Sequence, residues 1–574
     1  MKKNVLPVLI IAGLIAIILV YLGVSYMIDK YTPTDERKDL TEYYNITEEN
    51  QVAITLDNKV LEAYGTLIDG QVYLDYEFVY DYLNSRFYWD TNENILLYTT
   101  STDVVSAKAE ATSYNVGKST TDFGKVVVKP TAESALIHLD FVSKYTDISV
   151  ATYEAPKRIV ITSDWGDITV ANAKNDTHVR VKGGIKSPIL SDVAKGTSLT
   201  VLEEEENWTK VCTADGITGY VEKKALSAAS TKTLVSDFPK ETFKHIKHEK
   251  PINLLWYQSS NSKISTTLSK VKGVNVVSPT WFKIADNEGN ISSTASHDFV
   301  KYCHDHNIEV WGLISNFEVK EVSSIYVLTH TSTRQNLVNQ IVAKAVEYNL
   351  DGVNIDFEFA SSEKESTKDL GDGYIQFLRE LSIKLHALDI SLSTDIPEVT
   401  SANHIYAYGD QPDFVDYVIL MAYDQHTGQK TGSGSVAALD WSTNAVKNVL
   451  KEGVPSDQLV LGIPFYTKLW IHTPKIEENA SEVTYIISFQ NIGMDTAKTW
   501  LDKNVSEPVW LEDCGQFYGE STKNDVIYKI WMEDTASLEK RLQMMQEQKL
   551  AGAAFWKSGF DNEKAWDVII KYIN

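Results

Sequence analysis

Between Ile252 and Trp556 the chain presents eight short apolar segments separated by helical patterns, and this alternation restricts what it can fold into. The segments begin at Ile252-Asn-Leu-Leu-Trp-Tyr, Val274-Asn-Val-Val-Ser-Pro, Ile308-Glu-Val-Trp-Gly-Leu-Ile and Gly352-Val-Asn-Ile-Asp-Phe-Glu. They continue at Ile390-Ser-Leu-Ser-Thr-Asp, Val415-Asp-Tyr-Val-Ile-Leu-Met-Ala-Tyr, Leu459-Val-Leu-Gly-Ile-Pro and Gly552-Ala-Ala-Phe-Trp. Amphipathic helical patterns lie between them, clearest at Gln335 to Tyr348, Gly373 to Leu388, Ser442 to Lys451 and Ser537 to Gln548. Near-continuous apolar strands alternating with helices call for a parallel sheet covered on both faces. Eight such units in this order make a closed (β/α)8 TIM barrel. The connection from Tyr466 to Ala536 is too long for one helix, so further structure is expected there.

The fourth segment breaks the apolar pattern. In Asp351-Gly-Val-Asn-Ile-Asp-Phe-Glu358, Asn354, Asp356 and Glu358 share one face of a strand and Val353, Ile355 and Phe357 the other. Two carboxylates and an amide on a buried face cost desolvation free energy, and close like charges resist both being ionised. One carboxyl is therefore expected to keep a proton near neutral pH, as a general acid must. A surface strand with an acidic face is the plainer alternative, and the wholly apolar opposite face argues against it. Asp351 has the opposite parity and reads as structural.

This spacing resembles the DxxDxDxE signature of glycoside hydrolase family 18, the chitinase-like (β/α)8 enzymes, with Asn354 where chitinases usually carry Asp. The resemblance implies Glu358 as catalytic acid, with Asp356 orienting the substrate's 2-acetamido group and stabilising the charge that develops on it. The substrate's own N-acetyl oxygen is then the nucleophile. Met421-Ala-Tyr-Asp424 resembles the family's M-x-Y-D element. It implies that Tyr423 hydrogen-bonds the acetamido group and that Asp424 contacts the sugar, with Gln425 and His426 as further sugar contacts. Trp556, ending the eighth strand, matches the family's apolar floor beneath the reacting sugar. Trp281, Trp311 and Trp470 are candidates either for subsites or for core. The long connection resembles the α+β insertion that walls the cleft in many members, and Trp531-Met-Glu-Asp534 resembles an element of mainly structural use. Neither a metal nor an organic cofactor is implied.

At 574 residues the chain is long enough for several domains. Its formal net charge of −24 argues against nucleic acid as a partner. Cys212, Cys303 and Cys514 are scattered, with neither metal-ligand spacing nor a disulfide framework, and read as buried thiols. Val5 to Ile28 is an apolar run that as a helix would extend about 36 Å, enough for a hydrocarbon core of about 30 Å. No A-x-A-like cleavage site follows it. Residues 1–28 therefore read as a transmembrane signal anchor and 29–50 as a polar tether, with secretion after cleavage as the alternative.

Within 51–165 the chain repeats weakly. Tyr73-Leu-Asp-Tyr-Glu-Phe-Val-Tyr-Asp-Tyr82 matches Leu136-Ile-His-Leu-Asp-Phe-Val-Ser-Lys-Tyr145, and each is followed by a short β pattern at Ile95 to Thr99 and Arg158 to Thr162. An α+β repeat domain is expected, similar to the copper amine oxidase N-terminal-like domain. It lacks clustered His or Cys, so no copper site is expected. Residues 175–227, with short strands and Gly turns around Trp208 and Tyr220, resemble a bacterial SH3-like β-barrel. That resemblance implies cell-wall peptide binding, and the two aromatics are candidates for its groove or its core. Residues 228–250 read as a linker and 251–574 as the catalytic domain.

Taken together, the expectation is a membrane-anchored extracellular glycoside hydrolase on a Gram-positive-type surface. It would cleave β-1,4 bonds of an N-acetylglucosamine-containing polysaccharide, peptidoglycan first and chitin as the alternative. The non-enzymatic alternative is a lectin-like barrel, a class that typically loses the final Glu or its Asp neighbour; both are present.

Overall fold

The computed structural model describes residues 5–258, 268, 271–359, 367–428, 431–475 and 484–573. The chain divides into two compact units, Met1–Trp89 with Ser106–Lys240, and Asp90–Val105 with Glu241–Asn574.

In the second unit the eight apolar segments form the strands β1 (Ile252–Tyr257), β2 (Val276–Ile284), β3 (Glu309–Ser315), β4 (Gly352–Asp356), β5 (Ser391–Ile396), β6 (Tyr417–Met421), β7 (Leu459–Pro464) and β8 (Gly552–Trp556). Each pairs in parallel with the next, and β1 also pairs with β8, which closes the barrel. Alternation along each strand sorts the side chains. Leu254, Trp256, Trp311, Leu313, Tyr417, Ile419 and Val460 make one buried cluster inside the barrel. Leu255, Val277, Val310, Ile355 and Leu461 belong to a second, packed against the surrounding helices. Each buried aliphatic side chain contributes about 1.5–3 kcal/mol relative to exposure. Gly352 opens β4 because a Cβ there would lie 2.5 Å from the Trp311 ring. Any side chain at 352 would push the catalytic-motif strand off its neighbour.

The four clearest helical patterns form helices at Thr331–Glu347, Thr367–His386, Leu439–Lys451 and Thr535–Glu547. The last is started by a capping box between Asp534 and Ser537. The long connection is indeed α+β: strands at Tyr466–Lys475, Thr484–Gly493, Val509–Leu511, Gln516–Lys523 and Val526–Trp531 form an antiparallel sheet with the helix Met494–Asn504. It has its own small core of Leu469, Ala497, Leu501, Ile530 and Met532.

Two boundaries need correction. The end of the 228–250 linker belongs to the barrel: Phe243 packs on Phe414, and His248 hydrogen-bonds both Glu309 and Tyr417 at the amino ends of β3 and β6. Ser230–Leu234, the linker's start, pairs with Gly166–Asn172 and extends the SH3-like sheet. Both pieces have backbone or aromatic groups that a free linker would leave to water.

In the first unit, Val5–Tyr31 is a single helix of 27 residues. From Leu6 it is apolar and long enough to cross a membrane, and none of that stretch is buried within the protein. The following tether is not free along its length. Arg37 forms an ion pair with Asp192, Tyr44 lies in the SH3-like core, and Tyr43 and Tyr44 donate to the carbonyls of Thr218 and Gly216. Polar composition alone hid these two tyrosines. In the repeat region, both copies appear as a strand followed by a helical turn (Gln71–Asp75 then Tyr76–Phe78, and Ala135–His138 then Leu139–Tyr145). The two copies pair with each other, Tyr73 opposite His138 and Leu74 opposite Ile137.

Candidate active site

The carboxyl ends of β1, β2, β4, β5, β6 and β8 bring the polar residues together, as parallel strands in a barrel do. Asn354 is fully buried. Its Oδ1 accepts from the Trp256 indole N–H and the Ser278 hydroxyl, each at 3.0 Å, and its Nδ2 donates to Asp395 Oδ1 at 2.9 Å. An indole N–H can only donate, so the amide oxygen must face Trp256 and the amide nitrogen Asp395. This arrangement accounts for Asn at the position where the family signature has Asp. With Asp395 in place, an aspartate at 354 would set another buried carboxyl directly against it.

Asp356 is also buried, and its Oδ1 has no hydrogen-bond partner among the described residues. Burial, then Asp395, Glu358 and Glu318, hold its carboxyl well above the usual range. For Asp395 burial is again the first cause of a raised carboxyl, partly offset by the amide hydrogen bond from Asn354.

Glu358 ends the motif with its side chain open to the cleft. Its backbone is clamped by one side chain: its N–H donates to Asn316 Oδ1 (2.8 Å) and its C=O accepts from Asn316 Nδ2 (3.1 Å). Asn316 is itself held by Ser324. Although the carboxyl reaches solvent, the surrounding walls strip away part of its hydration. Desolvation, then Asp424 and Glu318, raise it above the ordinary value.

Glu358, Tyr423 and Asp424 line one cleft of about 320 Å³ together with Tyr406, Glu398 and Trp441. Tyr423 packs edge-on to Trp256 and to Tyr466, and its burial keeps the phenol protonated as a donor. Asp424 adopts a left-handed backbone (φ 61°), which Asp tolerates better than most residues. Its carboxylate accepts from Tyr466 (2.7 Å) and from the buried Lys468 (2.5 Å), which also donates to the His426 carbonyl. Trp556 stands edge-on to Trp256 at 5.8 Å and packs on the same cluster as Tyr423.

Two expected sugar contacts lie elsewhere. Gln425 turns back to accept from the Ala438 N–H, and the His426 ring packs on Gly434 and meets the Ser435 carbonyl. Trp281, Trp311 and Trp470 are all buried in core. Asp351 is structural, accepting from His304 and from the Val310 N–H. Among the described residues no group of three His, Cys, Asp or Glu is arranged to hold a metal ion.

Sequence reasoning missed Asn316, Asp395, Trp256, Tyr466 and Lys468. Asp395 carried a readable signal, a carboxylate at the carboxyl end of an apolar barrel strand. Tyr466 and Lys468 stand on an insertion strand without a motif.

The proximity of Asp424 and Glu358 makes a prediction. Asp424→Asn removes a like charge, so the Glu358 carboxyl should lose its proton at lower pH. The alkaline limb of kcat/KM should move down, and a pH–rate profile of the variant checks it. An unmoved limb would show that Lys468 already neutralises Asp424.

Residues 256–561 match the family model for glycosyl hydrolases family 18, and residues 175–227 that for a bacterial SH3 domain. A closed parallel barrel with the acidic motif on its fourth strand is the architecture of a glycoside hydrolase. The chain belongs to glycosyl hydrolase family 18. It is 21% identical over 314 residues to the uncharacterized glycosylase YvbX of Bacillus subtilis (strain 168), spanning 52% of this chain and 84% of that one. It is 22% identical over 284 residues to the cortical fragment-lytic enzyme of the same organism, spanning 47% of this chain and 61% of the relative. Among solved structures, the C-terminal domain of a protein designated a chitinase from Desulfitobacterium hafniense DCB-2 is covered completely by 57% of this chain. Its TM-score is 0.51 at 20% identity, a likeness of fold.

Proposed function

We propose that the protein is a membrane-anchored glycosidase that cleaves β-1,4 bonds of N-acetylglucosamine-containing glycan, peptidoglycan above all, by substrate-assisted retention. The carrying observation is the convergence of Glu358, Tyr423 and Asp424 on one cleft, with Asp356 buried on the same face of the same strand. Glu358 donates its proton to the glycosidic oxygen as the 2-acetamido oxygen attacks the anomeric carbon. Asp356 as an anion and Tyr423 as a donor hold the acetamide and stabilise the oxazolinium ion. Water then attacks the anomeric carbon, giving its proton to Glu358, and the acetamido group is released intact. Trp556 offers a flat apolar face to the pyranose. Asp424 is held by Tyr466 and Lys468 as a sugar contact. This chemistry uses no metal or organic cofactor.

Peptidoglycan is favoured over chitin by three features. An apolar helix at the amino end keeps the chain near a membrane, an SH3-like domain precedes the barrel, and one relative is named for the lysis of cortical fragments. In the SH3-like domain Trp208 is half-buried and lines a cavity with Ile185, Glu206, Asn207, Glu222, Lys223 and Lys224, the surface we assign to a wall peptide. Tyr220 is outside that lining.

The test is digestion of purified peptidoglycan and of chitin oligosaccharides by the full chain in detergent, with Glu358→Gln as control. Mass spectrometry of the products should show new N-acetylglucosamine reducing ends from peptidoglycan, absent with the variant. Cleavage of chitin alone would transfer the reading to a chitinase. Glycan binding without cleavage of either polymer would make the barrel a lectin.

A further inference from the structure

Asp395 is buried at the carboxyl end of β5, where a lone carboxyl is costly, and the mechanism above does not use it. The parallel register explains what it faces. Asn354 pairs with Ser393 and Ile355 with Thr394, so the next residue on each strand sets Asp395 level with Asp356. The Asn354 amide, its orientation fixed by Trp256 and Ser278, donates its N–H to Asp395. Among the described residues Asp356 is left with an unpartnered Oδ1. The titratable groups set against the two are carboxyls and phenols: Glu358 on β4, Glu318 after β3, Tyr374 on the 367–386 helix, Tyr406 after β5 and Tyr423 after β6.

We propose that Asp395 is a positioning residue that shares a single proton with Asp356, which stands level with it on the adjacent strand. This rests on the substrate-assisted reading. In the free protein the proton stays with Asp356, whose Oδ1 lacks a donor among the described residues, while Asp395 accepts the Asn354 amide as an anion. When the substrate's acetamide N–H reaches Asp356, the proton passes to the Asp395 carboxylate. Asp356 is then the anion opposite the forming oxazolinium, and the pair keeps one negative charge throughout. The charge that the family signature places at the position of Asn354 thus sits on the neighbouring strand. Two like carboxyls confined together titrate as a pair, with one proton held above the range of either alone. Burial raises both here, with Asp395 the next cause for Asp356 and Glu358 adding to each.

Asp395→Asn keeps the shape and removes the charge. The wild-type pair works with one proton, so its acid limb marks the arrival of a second; without Asp395 to take the proton, Asp356 must lose its own before it can hold the acetamide. The acid limb of kcat/KM is expected to move up by about one pH unit, a tenfold change in proton affinity. The alkaline limb, set by Glu358, should stay. The exchange Asn354→Asp with Asp395→Asn should return the acid limb to its original place. In that protein Asp at 354 accepts from Trp256, Ser278 and the new amide, so each hydrogen bond survives with one reversed. A purely structural role predicts neither the shift nor its reversal, and superimposable profiles overturn the proposal. Infrared titration of ¹³C-aspartate-labelled full chain without substrate reads the same pairing independently of turnover. A lower Asp356 titration in Asp395→Asn supports the shared proton, and an unchanged one overturns it. If the wild type cleaves neither polymer while that titration still shifts, the functional reading fails and the pairing stands.

Discussion

Glu358→Gln is expected to lower kcat on an N-acetylated glycan by about 10²–10⁴-fold, the usual worth of a positioned general acid, with KM little changed. Glutamine keeps the size and hydrogen-bonding capacity of the side chain but has no proton to give to the glycosidic oxygen. The backbone at 358 is held by Asn316 through groups the substitution does not alter, so the loss reports chemistry rather than displacement. The pH dependence follows from the direction of the shift. Desolvation and the neighbouring Asp424 and Glu318 raise the Glu358 carboxyl, so its acid form persists to higher pH than an exposed glutamate would allow. Wild-type activity should therefore fall as pH rises through that raised value, and the variant's residual activity should lack this limb. Single-turnover rates across pH, on the polymer that the digestion identifies, measure both effects. A variant retaining wild-type turnover would remove Glu358 from the acid role.

All eight barrel strands and four of the helices between them were legible because each rests on local periodicity. An apolar strand covered on both faces has a continuous pattern, and a helix packed on it has a stripe. The parity argument for Asn354, Asp356 and Glu358 was equally local: the first two are buried, and Glu358, just past the strand, opens to the cleft. What escaped was set by contacts between strands far apart in sequence. No pattern in Ser391–Ile396 reveals that Asp395 accepts from Asn354, and none near Asn316 reveals that its amide clamps Glu358. Gln425 was misdirected for a related reason. Adjacency to the M-x-Y-D element suggested a sugar contact, whereas the left-handed turn at Asp424 sends the next side chain back toward Ala438. The tether and linker boundaries followed composition, and composition does not show that Tyr44 or Phe243 has a core to enter.

The largest stability effect is expected from Arg541→Ala. Arg541 and Glu533 are each 1% exposed, and the guanidinium meets the carboxylate through two hydrogen bonds of 2.8 and 3.0 Å. Arg541 also donates to the Ala437 carbonyl, while Glu533 accepts from Gln516 (2.7 Å) and Ser537 (3.0 Å). The network thus ties the insertion, through Gln516, to the barrel segment that follows the Asp424 turn. Removing one partner of a buried pair leaves an uncompensated charge, and the loss should be about 3–5 kcal/mol. Replacing both by apolar residues of similar volume should cost less, because no orphaned charge remains. The sign of the pH dependence is set by Glu533, which burial pushes up to about 7 even with the arginine beside it. Without Arg541 its folded-state value rises further above the unfolded one. Up to about pH 7 both folded forms keep the Glu533 proton, so the variant's loss relative to wild type is smallest there and grows as pH rises beyond 7. Urea unfolding of the two variants at pH 5 and pH 8 measures the gap. An equal loss at both would mean that Glu533 does not remain buried once its partner is gone, and that the insertion relaxes away from the barrel instead.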